Sequence, residues 1–256
     1  DDYAKAIAAY DTYYKVTPKE ADKIDIRACE NYLQALFSMS VKDETNLDKM
    51  ITIANEIKPL APKDIIIPRM EFFAKYNKVE TAMDYEGALK AADEACAYIR
   101  DKQFPDSVYF YMDYDFAGKL AKEKGDIPQA ISYFEQAVKD LEAKAGDITD
   151  ERKKTENENK RGSYFYEISN LYVRNKQADK GIEVYEKYLH CLATRLTSQT
   201  SIHSVQNILP PTSSKTTPPS KSRYITTRPR RLSRPLLVPK PPTACPSCWL
   251  SRCLHV

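Results

Sequence analysis

The chain has 256 residues, and its net charge of +3 conceals a sharp division of charge along the sequence. Residues 192–256 contain ten Lys and Arg and no Asp or Glu, so residues 1–191 keep 29 basic and 36 acidic residues, net −7. No run is long and apolar enough to cross a membrane, which excludes a transmembrane segment. All six Gly precede residue 192 and ten of the sixteen Pro follow it, so we predict a helical domain over 1–191 and a disordered tail over 192–256.

Apolar spacing and stop signals predict three helices in the first 58 residues. Residues 1–16 have helical spacing, and we interpret them as the second helix of a helical hairpin. Residues 17–20 read Thr-Pro-Lys-Glu, a capping signal, so we place the start of the next helix there. The third helix runs to about Lys58, where Pro59 and Pro62 stop it. Because the sequence starts inside a unit and without Met, we expect a fragment whose compartment cannot be read from its N-terminus.

The sequence pattern of residues 64–116 predicts a further pair of helices, followed by a run of aromatic residues. The helix over 64–81 carries Phe72 and Phe73 on its apolar face, and the Ala-rich helix over 85–101 leaves little bulk between neighbouring backbones. Residues 109–116 include five aromatic side chains. We assign most of these rings to the core and one or two to a surface.

The clearest signal is a helical hairpin over residues 111–141. Gly125 fits the left-handed residue that ends a helix, and Asp126 fits the cap of the next. Pro128 is tolerated in the first turn. The following apolar residues recur at helical spacing and form one stripe. They are Ile127, Ala130, Ile131, Phe134, Ala137, Val138 and Leu141.

This pattern recurs along the chain at irregular intervals. Aligning Ala6, Met50, Ala88, Ala130 and Gly181 gives steps of 44, 38, 42 and 51 residues by subtraction. Such recurrence is typical of a repeat protein, in which stacked units bury a continuous core.

The order of these residues resembles the tetratricopeptide repeat (TPR) family over roughly residues 1–191. The matching residues in the clearest unit are Gly118, Gly125, Asp126, Ala130, Ile131, Phe134 and Ala137. The steps exceed the family period of about 34 residues, so "TPR-like" is the closer description. The resemblance implies an all-α fold: a right-handed solenoid of about four antiparallel helical hairpins plus a half-hairpin.

The resemblance also implies a function and a site. In the family, the first helices of successive hairpins line a concave groove that binds peptide segments of partner proteins. The positions that correspond in this chain are Asp115, Lys119 and Lys122 in one unit and Tyr166, Asn170 and Arg174 in the last unit. Basic and amide groups at such positions can hold a peptide carboxylate or backbone. Each could equally be a solvated polar residue on a helix surface.

The segment before the last unit is highly charged. The charge run over residues 144–162 indicates a solvated helix face or an exposed loop. This segment accounts for the longest step between repeat units, which is 51 residues. We place the last hairpin from about Tyr164 to Cys191. Its first helix is expected to pack against Gly181, Ile182, Tyr185 and Tyr188.

The tail offers two alternative chemistries. Cys245, Cys248, Cys253 and His255 are four potential zinc ligands, and Arg228, Arg230, Arg231 and Arg234 form a basic cluster that could hold nucleic acid. The loss of every acidic residue and every Gly suggests instead that this segment arises from out-of-frame translation. The nucleotide sequence tests that hypothesis, which fails if no shifted frame continues the helical pattern.

No arrangement of residues predicts catalysis. The Gly residues are isolated rather than grouped in a phosphate-binding loop, and Cys29, Cys96 and Cys191 lie singly on helices, as small buried apolar residues do. We therefore predict a non-catalytic interaction scaffold with no cofactor, no metal and a protein or peptide partner. The alternatives are a structural piece of a larger protein, or a tail that binds nucleic acid or zinc.

Overall fold

A computed structural model describes the backbone of residues 2–204 and the side chains of residues 2–193. These residues form helices joined by turns and loops, and they contain no β-strand. The helices are α1 (Asp2–Val16), α2 (Ile26–Ser40), α3 (Thr45–Ile57), α4 (Ile66–Asn77), α5 (Tyr85–Ala95), α6 (Ala97–Arg100), α7 (Tyr111–Glu123), α8 (Ile127–Ala143), α9 (Glu151–Arg174) and α10 (Ala178–Ser204). Among the described residues, one compact unit extends to Leu192. The next unit begins at Ala193, and the structure describes it as helical backbone up to Ser204.

The hairpin over α7 and α8 forms as predicted. Gly125 has a φ of +78°, the left-handed conformation that costs glycine least, and it ends the first helix. The carboxylate of Asp126 accepts a hydrogen bond from the backbone N–H of Gln129 at 3.1 Å, which caps the second helix. The Tyr111 N–H donates to Asp140 at 2.9 Å, so the start of α7 lies beside the end of α8. The two helices are therefore antiparallel.

Side-chain contacts also join the first helices of successive hairpins, which are α2, α4, α7 and α9. The rings of Phe37 and Phe73 lie 5.9 Å apart between α2 and α4. The rings of Phe73 and Phe116 stack at 4.2 Å between α4 and α7. Tyr111 accepts a hydrogen bond from Lys160 of α9 at 3.0 Å. Contacts thus pass from each first helix to the next.

A buried ion pair fixes α4 against α7. Arg69 donates to both carboxylate oxygens of Asp113, at 2.7 and 2.8 Å, and both side chains are buried. Asp113 also accepts from the Tyr98 hydroxyl at 2.7 Å and from the Phe110 N–H at 3.0 Å. The buried charges are therefore paired and hydrogen-bonded, as a protein interior requires.

The core consists of two adjoining clusters of apolar side chains. The first extends from Ile24 to Leu120, and its centre holds the buried rings of Phe72 and Phe73. The second joins α7, α8 and α9 around Phe134, which is 2% exposed and stacks on Tyr164 at 5.9 Å. Of the aligned repeat positions, Met50, Ala130 and Gly181 are buried.

The helix predicted to begin at Thr17 begins instead at Ile26. Asp25 caps it, because its carboxylate accepts hydrogen bonds from the backbone N–H groups of Arg27 and Ala28. Lys19 donates to the carbonyls of Tyr14 and Thr17, at the end of α1. Residues 17–20, predicted to start α2, therefore satisfy carbonyl groups at the end of α1 instead.

Two predicted boundaries near the C-terminal end also differ. The first helix of the last hairpin, predicted to begin at about Tyr164, begins at Glu151, where Asp150 accepts a hydrogen bond from the Lys153 N–H at 2.8 Å. Of the two alternatives predicted for the charged segment, the helix is therefore correct from residue 151 onward. Helix α10 continues to Ser204, past residue 192, where the sequence pattern predicted disorder. Residues 205–256, with the four potential zinc ligands and the basic cluster, lie outside the described residues.

Candidate partner-binding surface of the first helices

The six predicted contact residues all lie on α7 and α9, the first helices of the last two hairpins. Lys119 and Lys122 are one turn apart on α7, and Asn170 and Arg174 are one turn apart on α9. The structure brings four of the six into one strip. It places the other two, Asp115 and Tyr166, elsewhere.

An ion pair joins the two helices within this strip. The ammonium of Lys122 lies 2.8 Å from a carboxylate oxygen of Glu167, and both side chains are 31% exposed. Glu167 precedes Asn170 by three residues and Arg174 by seven, so all three share one face of α9. We call Lys119, Lys122, Glu167, Asn170 and Arg174 the first-helix strip. It carries three cationic side chains and one carboxylate.

Asp115 lies beneath the strip rather than on it. Its side chain is 12% exposed, and one carboxylate oxygen lies 2.7 Å from the ammonium of Lys119. It also lies near the Tyr164 hydroxyl of α9. Burial and the nearby Asp115 carboxylate raise the pKa of Tyr164 well above its usual range, so this hydroxyl stays a hydrogen-bond donor. Asp115 therefore joins α7 to α9 and orients Lys119.

Tyr166 is turned toward α10. Its ring lies 6.4 Å from that of Tyr185 and 5.3 Å from that of Tyr188. Asn170 and Arg174, which follow it on α9, are exposed. Tyr166 thus packs against the second helix of its own hairpin.

Aromatic rings continue the strip toward α4. Lys119 lies 5.4 Å from the centre of the Phe116 ring, and Phe116 packs edge-on against Tyr76 at 5.3 Å. Tyr76 is half-buried, so part of its ring is open to solvent. Sequence reasoning missed Glu167 and Tyr76. The helical spacing of Glu167 from Asn170 is the signal that would have found the first of them.

A separate polar cavity of about 480 Å³ lies among α3, α4, α5 and α6. Its wall includes the buried carboxylate of Glu71, whose two oxygens each lie 2.5 Å from an ammonium, those of Lys58 and Lys75. Burial alone would raise the pKa of Glu71, but the hydrogen bonds from the two lysines outweigh it and lower the pKa. This carboxylate already has partners within the fold.

Two of the three described cysteines are unsuited to nucleophilic chemistry. Cys29 and Cys96 are buried, as predicted, and burial raises their pKa to about 11 and about 12. A thiol with such a pKa is almost entirely protonated at neutral pH, whereas the thiolate is the reactive form. Cys191 is half-buried, and burial also raises its pKa.

The same part of the chain gives no sign of a metal centre or a membrane span. Among residues 2–193, whose side chains are described, no group of three or more His, Cys, Asp or Glu is placed to hold a metal ion. None of the described helices has the length and apolarity needed to cross a membrane.

Comparison with known proteins adds no relative. No protein-family model matches the chain, and a search of curated proteins finds no similar sequence. The resemblance to tetratricopeptide repeats therefore rests on the residues of the chain itself.

Proposed function

We propose that this protein is a non-catalytic interaction scaffold, built as a TPR-like right-handed solenoid, which binds a peptide segment of a partner protein along its first helices. The observation that carries the proposal is the chain of contacts from α2 through α4 and α7 to α9. In a stack of hairpins, such contacts create one extended surface from many short helices.

The direction of the helices supports a regular stack. Arg69 pairs with Asp113, and Phe73, one turn later on α4, stacks on Phe116. Along α7 and α9, contacts run from the Tyr111–Lys160 pair to the Lys122–Glu167 pair. In each case later residues meet later residues, so neighbouring first helices are parallel. A parallel row of first helices is what a solenoid of hairpins requires.

The charge of the first-helix strip favours an acidic or carboxylate-bearing peptide. Residues 1–191 carry a net charge of −7, yet the strip has three cations and one carboxylate. Lys122 must leave Glu167 to bind a partner. Because a half-exposed ion pair contributes only about 0–1 kcal/mol, a peptide carboxylate can replace Glu167 at little cost.

Different side chains of the strip would recognise different parts of the partner peptide. Arg174 offers a planar pair of N–H donors that matches a carboxylate, while Asn170 can both donate to and accept from a peptide backbone. The half-buried ring of Tyr76, which packs edge-on against the buried Phe116, continues the strip and gives a partner apolar surface to cover. Aromatic and arginine side chains are common energetic anchors at interfaces.

The proposal is tested by capture of partners on the immobilised full chain and on two charge variants. In the test variant, Lys119→Glu and Arg174→Glu reverse two charges of the strip. In the control variant, Lys139→Glu reverses one exposed charge on α8. We expect partners retained by the native chain and the control to be lost from the test variant. Equal capture by all three would reject the strip as the binding surface.

A further inference from the structure

The last helix of the structure exposes an apolar stripe that the preceding hairpin buries. With the 51-residue step between Ala130 and Gly181, residues Ile131, Phe134 and Val138 of α8 correspond to Ile182, Tyr185 and Leu189 of α10. The three residues on α8 are 5%, 2% and 6% exposed. Those on α10 are 59%, 40% and 47% exposed. The two helices therefore carry the same apolar pattern, which is buried on α8 and largely exposed on α10.

Sequence spacing had predicted that Ile182 and Tyr185 would pack against α9. The ring of Tyr185 does meet that of Tyr166 of α9 at 6.4 Å, but it stays 40% exposed, and Ile182 is 59% exposed. The closest contact with α9 is made by Gly181, whose carbonyl accepts a hydrogen bond from the Ser169 hydroxyl at 2.8 Å. A Cβ added to Gly181 would lie only 2.9 Å from the Val173 side chain. The prediction is therefore wrong for Ile182 and holds for Tyr185 at one contact only.

The stripe on α8 is covered by α9, together with Gly118 and Ala121 of its own hairpin partner α7. The cluster around Ile131, Phe134 and Val138 contains Phe165, Ile168 and Leu171 from α9. Their spacing of three residues places them on one face of that helix. The apolar residues of α8 are thus matched by an amphipathic helix with an aromatic residue followed by two aliphatic residues.

A polar contact beside the stripe is repeated as well. Glu135, next to Phe134, accepts a hydrogen bond from the Tyr172 hydroxyl of α9 at 2.8 Å. The same step of 51 residues leads from Glu135 to Glu186, which is exposed next to Tyr185. Both the apolar pattern and the carboxylate acceptor that bind α9 are therefore present again on α10.

We infer that Ile182, Tyr185, Glu186 and Leu189, the α10 face, are a docking surface for an amphipathic α-helix of another protein. That helix resembles α9 in chemistry: an aromatic and two aliphatic residues lie on one face, and a tyrosine hydroxyl donates to Glu186. Exposed apolar residues in such a contiguous patch are typical of an interaction surface. This surface is distinct from the first-helix strip and does not depend on it.

The geometry fits the way in which amphipathic helices are recognised in general. Such ligands place apolar anchors at helical spacing into a matching surface, and flanking polar contacts fix their position. Ile182, Tyr185 and Leu189 lie three and four residues apart, so they form one line along α10. Glu186 adds a directional contact that an apolar stripe alone does not supply.

The probe for this inference is a synthetic peptide with the α9 sequence from Glu156 to Arg174. It carries Phe165, Ile168, Leu171 and Tyr172 in the spacing that covers α8. Fluorescence anisotropy measures its binding to the full chain. The covalently attached α9 competes for α8 at a far higher effective concentration, so the free peptide is directed to α10.

Four protein variants locate the bound peptide. We expect Ile182→Asp and Leu189→Asp each to weaken binding by at least about tenfold, because truncating or charging an apolar anchor removes a main source of affinity. Met83→Asp, at a fully exposed apolar residue before α5, serves as the matched control and is expected to leave binding unchanged. Glu186→Ala removes the carboxylate acceptor and tests the polar contact. Thermal unfolding shows whether each variant keeps the native fold.

A double-mutant cycle separates specific docking from adhesion to an apolar patch. Glu186→Ala in the protein and Tyr172→Phe in the peptide remove the same hydrogen bond, so we expect the second change to add little to the first. Fully additive effects would overturn the predicted pose.

Two other results would overturn the inference. One is a peptide that fails to bind, or that binds equally to the native chain and to Ile182→Asp. The other is a native chain that sediments as a dimer while Ile182→Asp sediments as a monomer, because the occupant would then be a second copy of the same chain.

Discussion

Gly118 of α7 lies so close to Phe134 of α8 that a Cβ built on the glycine would be 2.9 Å from Cε1 of the ring. The ring cannot withdraw, because it is 2% exposed and stacks on Tyr164 of the next hairpin. One small residue thus allows two helices to meet and lets the ring between them reach the third helix.

This contact predicts a large cost for a bulkier residue at position 118. Gly118→Val forces side-chain atoms into the ring, and we expect it to lower the free energy of unfolding by about 2–3 kcal/mol. Gly146→Val is the control, since a Cβ at Gly146 meets nothing within 4 Å, and we expect a change within about 0.5 kcal/mol. Urea unfolding followed by circular dichroism measures both. Similar values for the two variants would show that the close approach is not needed.

The buried pair of Arg69 and Asp113 predicts a second strong effect. Arg69→Met leaves the Asp113 carboxylate buried without its cation, and we expect a loss of about 3–5 kcal/mol. The matched change is Lys90→Met, which breaks a 4.0 Å pair with Glu94 on the surface of α5 and should cost at most about 0.5 kcal/mol. The same urea experiment measures both. A loss below about 1 kcal/mol for Arg69→Met would contradict the proposed role of the pair.

Glu30 and Asp64 predict a pH dependence of stability. Burial and the hydrogen bond shared with Asp64 raise the pKa of Glu30 from 4.5 to about 8. The folded protein therefore holds this proton more tightly than the unfolded chain does. The resulting stabilisation is complete below about pH 4.5 and is lost as the pH rises through about 8.

The measurement is the free energy of unfolding of the native chain minus that of Glu30→Gln, at several pH values in this interval. We expect the difference to fall as the pH rises. Glu86→Gln, which removes an exposed carboxylate on α5, is the control for the substitution itself. A flat profile for Glu30→Gln would mean that the two carboxyl groups do not share a proton in the folded state.

The buried thiols predict protection from alkylation. Cys29 and Cys96 are 1% and 3% exposed, and burial raises their pKa to about 11 and about 12. We expect iodoacetamide at neutral pH to leave both unmodified in the folded chain and to modify both in urea. Mass spectrometry of the digested protein reads each cysteine separately. Rapid labelling of either residue without denaturant would contradict its place in the core.

How far the sequence predicted this structure is clearest from Gly125 and Thr17. Gly125 and Asp126 act through their own backbone and the next three residues, so local pattern predicted the turn correctly. Thr17 starts an equally good local signal, but Asp25 caps α2 and Ile24 is buried at 5% exposure. Local signals compete, and tertiary packing decides between them.

The candidate surface was predictable only in part, for a related reason. Helical spacing correctly grouped Lys119 with Lys122 and Asn170 with Arg174. It did not show that Asp115 lies near Tyr164, 49 residues away, or that Lys122 pairs with Glu167, 45 residues away. Those contacts depend on how two helices from different hairpins lie side by side, and the irregular steps between repeats do not encode that position.

Binding along the first helices is tested most directly by photo-crosslinking. One photo-crosslinking amino acid is placed at an exposed position on a first helix, and another at an exposed position on a second helix. Asn170 lies on the first-helix strip, and Lys139 lies on α8, a second helix; both are exposed. We predict that partner protein crosslinks to the full chain substituted at position 170 and not to the chain substituted at position 139. Crosslinking from position 139 with none from position 170 would contradict binding along the first helices.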